Sequence, residues 1–278
     1  MQNKLYVVGT PIGNLGDISH RALEILSSVD FIAAEDTRVT SKLLNHFGIK
    51  KPLVSYFEHN KAEKGEIIIN RILKGEACAL VSDAGMPAIS DPGEDLVRQA
   101  YQMGAEVESV PGPSAVVTAL SISGMESGRF CFEGFLSVNK TSRKAHLEEV
   151  ADERRTMIFY EAPHKLLATL KDLAECLGDR EIAVVKELTK IHETVMRTTL
   201  YNAVEYFEEN QPKGEYVLIV AGAKEEKEAF SLADATALAK KFVGEGLPIS
   251  LAAKRAAKET GLKKGDIYKS LLDSEQPE

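Results

Sequence analysis

Two loops rich in glycine and proline follow short apolar runs, and they are the part of this chain best suited to chemistry. Residues 82–93 read SDAGMPAISDPG, and residues 111–115 read PGPSA. Glycine lets a backbone approach a ligand closely, and proline stiffens the turn. Each loop precedes a predicted helix, and open α/β sheets bind ligands in loops at strand ends. The loops therefore predict a ligand site, the alternative being two tight surface turns.

Carboxylates near the first loop allow a second chemistry. Asp83, Asp91, Glu94 and Asp95 could hold a hard cation, as in a metal-dependent phosphohydrolase. However, acidic residues directly after Pro-Gly are also typical of an ordinary helix start. The chain contains no GxxxxGK[ST], HExxH, CxxC or GxSxG motif, and residues 9–14 lack the GxGxxG pattern. We therefore expect a site without metal.

Alternating strand and helix signals surround these loops and predict the elements that position them. Short apolar strands are predicted at 5–8, 31–34, 53–57, 77–81 and 107–110. Between the strands, apolar residues recur at the spacing of a helix, and Asp17 is the predicted N-cap of the first helix. Such alternation predicts a mostly parallel sheet that is covered on both faces.

A linker-like segment, 123–128, precedes a second series of strands. These are predicted at 130–135, 157–160, 182–185, 195–199 and 216–221. Residues 194–199 alternate in polarity, which is typical of a half-exposed antiparallel strand. We predict an α/β fold with two α/β domains, 1–124 with a mostly parallel sheet and 125–222 with a mixed sheet.

The tail, 229–278, is predicted to be a small helical domain after a charged linker at 223–228. Ser231 and Asp234 fit a capping box, and later helices are predicted around 251–257 and 266–272. A glycine-bearing turn between the last two resembles a helix-turn-helix, although small helical tails also serve as caps or dimer contacts.

Composition narrows the class of protein. The 278 residues carry a net charge of −8 and three cysteines, which read as reduced core residues. The charge argues mildly against coating nucleic acid by bulk attraction, although basic patches exist at 140–146 and in the tail. No apolar stretch is long enough to span a bilayer, and no signal peptide is evident. We expect a cytoplasmic protein that does not engage membranes.

Five motifs in order along the chain resemble a known family. They are GTPIGN at 9–14, AEDTR at 34–38, SDAGMP at 82–87 with SDPG at 90–93, VPGPSA at 110–115 and FYEAPH at 159–164. Together they closely resemble the bacterial 16S ribosomal RNA ribose 2′-O-methyltransferases of the RsmI type, in the tetrapyrrole-methylase superfamily. The resemblance covers essentially the whole chain. The glycine-rich loops are common to the superfamily, whereas residues 35–38 and 160–164 are the narrower signal.

The resemblance implies an activity and its partners. It implies S-adenosylmethionine as cofactor, held in a cleft between the two α/β domains, and a homodimer. It implies methylation of the ribose 2′-hydroxyl of a cytidine in the decoding region of 16S rRNA, within the 30S small ribosomal subunit. The cofactor contacts carried over by motif are Ile12, Gly13, Asp83, Gly85, Met86, Ser114 and Ala115, with Tyr160, Leu188 and Glu215 as weaker candidates.

A ribose hydroxyl becomes a good nucleophile only when a general base accepts its proton. The candidate catalytic residues are Glu35, Asp36, Arg38, Glu58, His59 and Glu187. Arg38, Lys186 or Asn60 could orient a phosphate or the ribose. The alternative for 35–38 is a helix cap with a local ion pair. Within the superfamily, a tetrapyrrole C-methyltransferase is the nearest competing function; outside it, the competitors are the metal phosphohydrolase and a non-catalytic nucleic-acid-binding regulator.

Overall fold

The computed structural model describes residues 4–224 and 230–273. The chain forms two compact units, Met1–Ala223 and Lys224–Glu278. Most of the predicted charged linker (225–228), residue 229 and the outer chain ends (1–3 and 274–278) lie outside the described residues. No described helix is long and apolar enough to cross a membrane.

The first sheet is fully parallel, as predicted, and its strands run in the order β3-β2-β4-β1-β5. Its elements are β1 (Lys4–Val8), α1 (His20–Ser28), β2 (Phe31–Ala34), α2 (Thr37–His46), β3 (Leu53–Ser55), α3 (Lys61–Leu73), β4 (Cys78–Val81), α4 (Gly93–Met103), β5 (Glu106–Val110) and α5 (Ala115–Ser123).

Strand β1 shows why this sheet is covered on both faces. Successive side chains of a strand point to opposite faces, and here both faces are apolar. Tyr6 and Val8 pack into one buried cluster with α1, whereas Leu5 and Val7 pack into another with α3 and α4. Because both faces are buried, the strand is an uninterrupted apolar run rather than an alternating one.

The second sheet is mixed, again as predicted, in the order β6-β7-β10-β8-β9. Strand β6 is parallel to β7, while β10 is antiparallel to both of its neighbours and β9 is antiparallel to β8. Its elements are β6 (Phe130–Phe135), α6 (Lys140–Glu149), β7 (Thr156–Glu161), α7 (Leu166–Leu177), β8 (Glu181–Lys186), β9 (Thr194–Thr199), α8 (Leu200–Glu209) and β10 (Tyr216–Val220).

The predicted boundary at 124/125 falls between α5 and β6. Gly124 ends α5 in the left-handed conformation, with φ of +70°, which suits glycine because it has no Cβ. Both sheets belong to one compact unit, and the residue bounds of its two α/β domains stay a prediction.

The described tail consists of three helices around its own core. They are α9 (Leu232–Gly244), α10 (Ile249–Thr260) and α11 (Lys264–Asp273). Ser231 and Asp234 form the predicted capping box at the start of α9. Phe242, Ala256 and Ile267, one from each helix, are buried together.

Two sequence predictions need local correction. Asp17 lies in a short 3₁₀ turn, and α1 is instead capped by Ser19, whose hydroxyl accepts from the Ala22 N–H at 3.0 Å. Strand β3 ends at Ser55 rather than at residue 57. In both cases the helix or strand is where the pattern predicts it, and only its boundary differs.

Candidate functional site

A cavity of about 630 Å³ lies in the first unit, between the carboxyl-end loops of the parallel sheet and one face of the mixed sheet. Its size is that of a small-molecule or cofactor site. The residues that line it are Ile12, Glu35, Ser82, Asp83, Ala84, Gly85, Met86, Ile89, Ser90, Asp91, Ser114, Ala115, Phe135, Tyr160, Glu161, Ala162, Pro163, His164, Val185, Leu188, Glu215, Tyr216 and Val217.

Close backbone packing holds the loops of the parallel sheet together. A Cβ on Gly9 would lie only 2.6 Å from the Cα of Gly112, so neither position has room for a side chain. Beside them, Thr10 and Gly85 exchange two backbone hydrogen bonds of 2.9 and 3.1 Å. Because the N–H and C=O of Gly85 are used in this bridge, its role is to join the loops after β1 and β4.

The loop after β4 has a strained backbone. Ala88 and Ser90 have φ values of +68° and +65°, in the left-handed region that costs a non-glycine residue free energy. One carboxylate oxygen of Asp91 accepts from the N–H groups of Ala88 and Gly93, at 2.9 and 2.8 Å. These hydrogen bonds fix the loop and place its residues 89–91 against the cavity.

A single row of side chains across the mixed sheet forms the other wall. Phe135 pairs in register with Tyr160, Tyr160 with Val217, and Val217 with Val185. Residues paired in this way point to the same face of a sheet, and all four line the cavity. Burial raises the pKa of the Tyr160 phenol to about 12, so the hydroxyl stays protonated at neutral pH.

The lining of the cavity is acidic, although one of its carboxylates, that of Glu215, pairs with the Lys190 ammonium group at 3.0 Å. Five lining residues carry carboxylates, and no lysine or arginine is among the described residues that line it. The acidic residues are Glu35, Asp83, Asp91, Glu161 and Glu215. Burial, followed by the charge of Asp83, raises the pKa of Glu35. Such a site favours a ligand that carries positive charge.

Nine of the ten residues predicted to bind a cofactor line this cavity. They are Ile12, Asp83, Gly85, Met86, Ser114, Ala115, Tyr160, Leu188 and Glu215. The tenth, Gly13, packs against the loop after β8, where a Cβ would lie 2.7 Å from the Lys190 side chain and 3.0 Å from the Leu188 carbonyl oxygen. Gly13 therefore joins a loop of the parallel sheet to a loop of the mixed sheet. Cofactor binding by these residues stays a prediction.

Of the six predicted catalytic residues, Glu35 alone lines the cavity. Asp36 caps α2 by accepting from the Arg38 N–H at 2.8 Å, and the Arg38 guanidinium pairs with the same carboxylate. Glu58 pairs with Lys61 at 2.7 Å. For Asp36 and Arg38 this is the helix cap and local ion pair that the sequence left open.

The remaining two candidates lie outside the lining as well. His59 is exposed, with its ring 6.2 Å from that of Phe57. Glu187 accepts from the Glu215 N–H and from the Lys190 ammonium group, each at 3.0 Å. Through these bonds Glu187 positions Glu215 without lining the cavity itself.

The four carboxylates of the alternative metal site are divided between two places. Asp83 and Asp91 line the cavity, whereas Glu94 and Asp95 pair with Arg98 on α4. Among the described residues, no group of three or more His, Cys, Asp or Glu side chains is arranged to hold a metal ion.

Sequence reasoning missed several lining residues. His164 belongs to the FYEAPH motif, so the motif itself could have indicated it. Glu161, which is 5% exposed, has its carboxylate satisfied by the Ala162 N–H at 2.8 Å and by the Thr169 hydroxyl. Phe135 had no signal in the sequence, because its position depends on the strand register described above.

Comparison with known proteins identifies the family. The model of the Tetrapyrrole (Corrin/Porphyrin) Methylases matches residues 4–204. Proteins named "Ribosomal RNA small subunit methyltransferase I" are similar over nearly the whole chain. The one from Synechocystis sp. is 47% identical over 98% of both chains. The one from Xylella fastidiosa is 50% identical over 95% of this chain and 97% of its own.

Solved structures show the same fold at low identity. The uroporphyrin-III-C-methyltransferase of Thermus thermophilus covers 79% of this chain and 94% of its own, with a TM-score of 0.56 and 19% identity. A diphthine synthase covers 79% of this chain and 90% of its own, with a TM-score of 0.60 and 17% identity. By sequence, this chain belongs to the tetrapyrrole (corrin/porphyrin) methylase family and, within it, to the family of the ribosomal RNA small subunit methyltransferases I.

Proposed function

We propose that this protein is a methyltransferase that uses S-adenosylmethionine to methylate the ribose 2′-hydroxyl of a cytidine in 16S rRNA. The observation that carries the proposal is that relatives 44–50% identical over at least 95% of this chain bear the name of a small-subunit rRNA methyltransferase. Such similarity includes the tail as well as the two sheets. The cavity supplies a site whose size and charge fit this chemistry.

The acidic lining supports the cofactor part of the proposal. S-adenosylmethionine supplies a methyl group on a positively charged sulfonium and also carries an ammonium group. Carboxylates that face a cation in a partly buried site attract it more strongly than they would in water. Asp83 is held in place because one of its oxygens accepts from the Asp36 N–H at 3.0 Å. We assign it to the cationic end, and Ile12, Ser114, Ala115 and Leu188 to contacts along the rest of the cofactor.

Glu35 is the residue best placed to accept the proton of the ribose hydroxyl. It follows β2 at the carboxyl edge of the parallel sheet and lines the cavity next to Asp83. Burial and the neighbouring charge of Asp83 raise its pKa, and a base with a higher pKa accepts a proton more readily. Ionised Glu35 would take the proton, and a rigid cavity would align the hydroxyl for in-line attack.

The tail and the quaternary state complete the proposal. On the resemblance, we assign RNA contact to the basic residues of the tail, and we propose a cytoplasmic homodimer. The tail's Lys254, Lys258 and Lys263 are exposed. Light scattering on the purified protein measures the mass directly.

Methylation of purified small subunits tests the function. Subunits from a strain that lacks this protein are incubated with the enzyme and methyl-labelled cofactor, and the RNA is digested to nucleosides for mass spectrometry. We expect labelled 2′-O-methylcytidine from the small-subunit RNA. Label on a base carbon or nitrogen, or no label, contradicts the proposal. Protein-free 16S rRNA in parallel shows whether the assembled particle is needed.

A further inference from the structure

A bulge in strand β6 turns an additional aromatic side chain toward the cavity. Strand β6 pairs with β7 as Phe132 to Ile158 and then as Phe135 to Tyr160, so three steps on β6 match two steps on β7. Residues three apart in a regular strand face opposite sides. Because the bulge adds one residue, Phe132 and Phe135 face the same side. Gly134, with φ of +65°, supplies the left-handed conformation at this point.

Both phenylalanines touch Tyr160, yet only one of them is exposed. The rings of Phe132 and Phe135 lie 4.9 and 5.4 Å from that of Tyr160, both in edge-type contacts. Phe132 packs partly into the core, whereas Phe135 lines the cavity and is 57% exposed. Bulges next to active sites commonly re-aim a side chain. The bulge here leaves an aromatic surface free beside the cavity.

The opposite end of the row of side chains that begins at Phe135 and ends at Val185 lies beside residues assigned to the proposed cofactor. Leu188, Ala115 and Ile12 pack with Val185 and Val217 in one cluster. Three strand spacings of about 4.8 Å separate Phe135 from Val185, a span of roughly 14 Å. The row is therefore long enough for a second ligand group beside the cofactor.

We propose that Phe135 is the surface on which the base of the target nucleotide stacks. This inference rests on the proposed function. The lining carries five carboxylates and no described lysine or arginine, so a phosphate is disfavoured inside the cavity. A nucleobase is uncharged and aromatic, and proteins that bind unpaired RNA bases stack them on phenylalanine or tyrosine.

Substitution of Phe135 tests the inference by separating RNA binding from cofactor binding. Phe135→Leu removes the ring, and we expect the KM for small subunits to rise about 5- to 150-fold, the range that loss of one base stack gives. The dissociation constant for S-adenosylmethionine stays unchanged. Phe135→Tyr restores the KM. Phe130→Leu is the matched control, since Phe130 lies on the same strand, is 37% exposed and does not line the cavity.

A fluorescent variant distinguishes the base of the RNA from the adenine of the cofactor. The chain contains no tryptophan, so Phe135→Trp provides a single reporter. We expect unchanged emission on addition of S-adenosylmethionine alone. If the cofactor quenches the emission of Phe135→Trp and also binds Phe135→Leu more weakly than wild type, the ring contacts the adenine of the cofactor. That result overturns the inference. The inference is also overturned if Phe135→Leu folds and its KM for subunits equals that of Phe130→Leu. In that case the proposed function still stands as long as the wild-type protein methylates subunits. A wild-type protein that fails to methylate subunits refutes the proposed function instead.

Discussion

Gly9 offers a direct test of how the cofactor loops are held together. A Cβ placed on Gly9 would lie 2.6 Å from the Gly112 Cα and 2.7 Å from the Met86 Sδ, whereas carbon atoms pack best at about 3.5–4.0 Å. The first neighbour is backbone, so the loop of residues 111–115 must shift by roughly 1 Å. Overpacking of this kind costs about 1–3 kcal/mol. In a unit of this size, that corresponds to a fall in Tm of about 2–12 °C.

The same displacement should weaken cofactor binding, because Ser114 and Ala115 lie in the shifted loop. If the undistorted loop must be restored on binding, 1–3 kcal/mol corresponds to an affinity loss of about 5- to 150-fold. Calorimetry with S-adenosylmethionine and thermal unfolding measure the two effects on Gly9→Ala. Gly128→Ala is the control, since a Cβ there meets nothing within 4 Å. A Gly9→Ala protein with the Tm and affinity of Gly128→Ala would refute the close packing of these loops.

Four further outcomes follow from the described contacts. Glu35→Gln should lower kcat, with little effect on cofactor affinity. The wild-type rate should rise with pH through the raised pKa of Glu35; a Gln variant with wild-type kcat excludes Glu35 as the base. Since the pKa of Glu35 is raised in the folded state, ionisation of Glu35 destabilises the folded protein. Glu35→Gln should therefore unfold at the same or a higher urea concentration than wild type at neutral pH. Asp83→Asn keeps an oxygen for the Asp36 N–H but removes the charge, so cofactor affinity measured by calorimetry should fall roughly tenfold; an unchanged affinity removes Asp83 from the cationic end. Hydrogen bonds from Arg38 lower the pKa of Asp36 to about 2, and Asp36→Ala should therefore be less stable than wild type above about pH 4, with the difference vanishing as the pH falls toward 2; a pH-independent difference in urea midpoint contradicts this. A chain ending at residue 228 should show a raised KM for small subunits with unchanged cofactor affinity, and unchanged kinetics would assign the tail a structural role.

Local sequence signals were sufficient to predict the strands and helices and the loops between them. Both faces of β1 are apolar because both are covered, and that produces the unbroken run from which a parallel strand can be predicted. Gly261, with φ of +74°, ends α10 where the sequence has its glycine. The capping box at Ser231 likewise depends only on residues within one turn. Six of the nine predicted cofactor residues that line the cavity follow strands of the parallel sheet, whose carboxyl ends converge on a single edge, whereas Tyr160, Leu188 and Glu215 belong to the mixed sheet and its loops.

The catalytic candidates were harder to predict, because several acidic residues follow the same strands. Glu35 and Asp36 are adjacent in sequence, yet one lines the cavity and the other caps α2. Which of two successive side chains faces the cavity depends on the turn between β2 and α2. Glu187 has a positive φ of +52°, an uncommon conformation for glutamate that no sequence pattern indicates.

The wall formed by the mixed sheet depends on pairing that no local pattern contains. Strand β10 is last in the sequence of the unit but lies between β7 and β8, and only this insertion places Val217 next to Tyr160. A slip of one residue in register would turn the row to the opposite face of the sheet. The bulge in β6 makes such a change locally, because without its extra residue Phe135 would point away from Tyr160. The acidic loops and Tyr160 could therefore be located from motifs, whereas the position of Phe135 beside Tyr160 required the three-dimensional register of the strands.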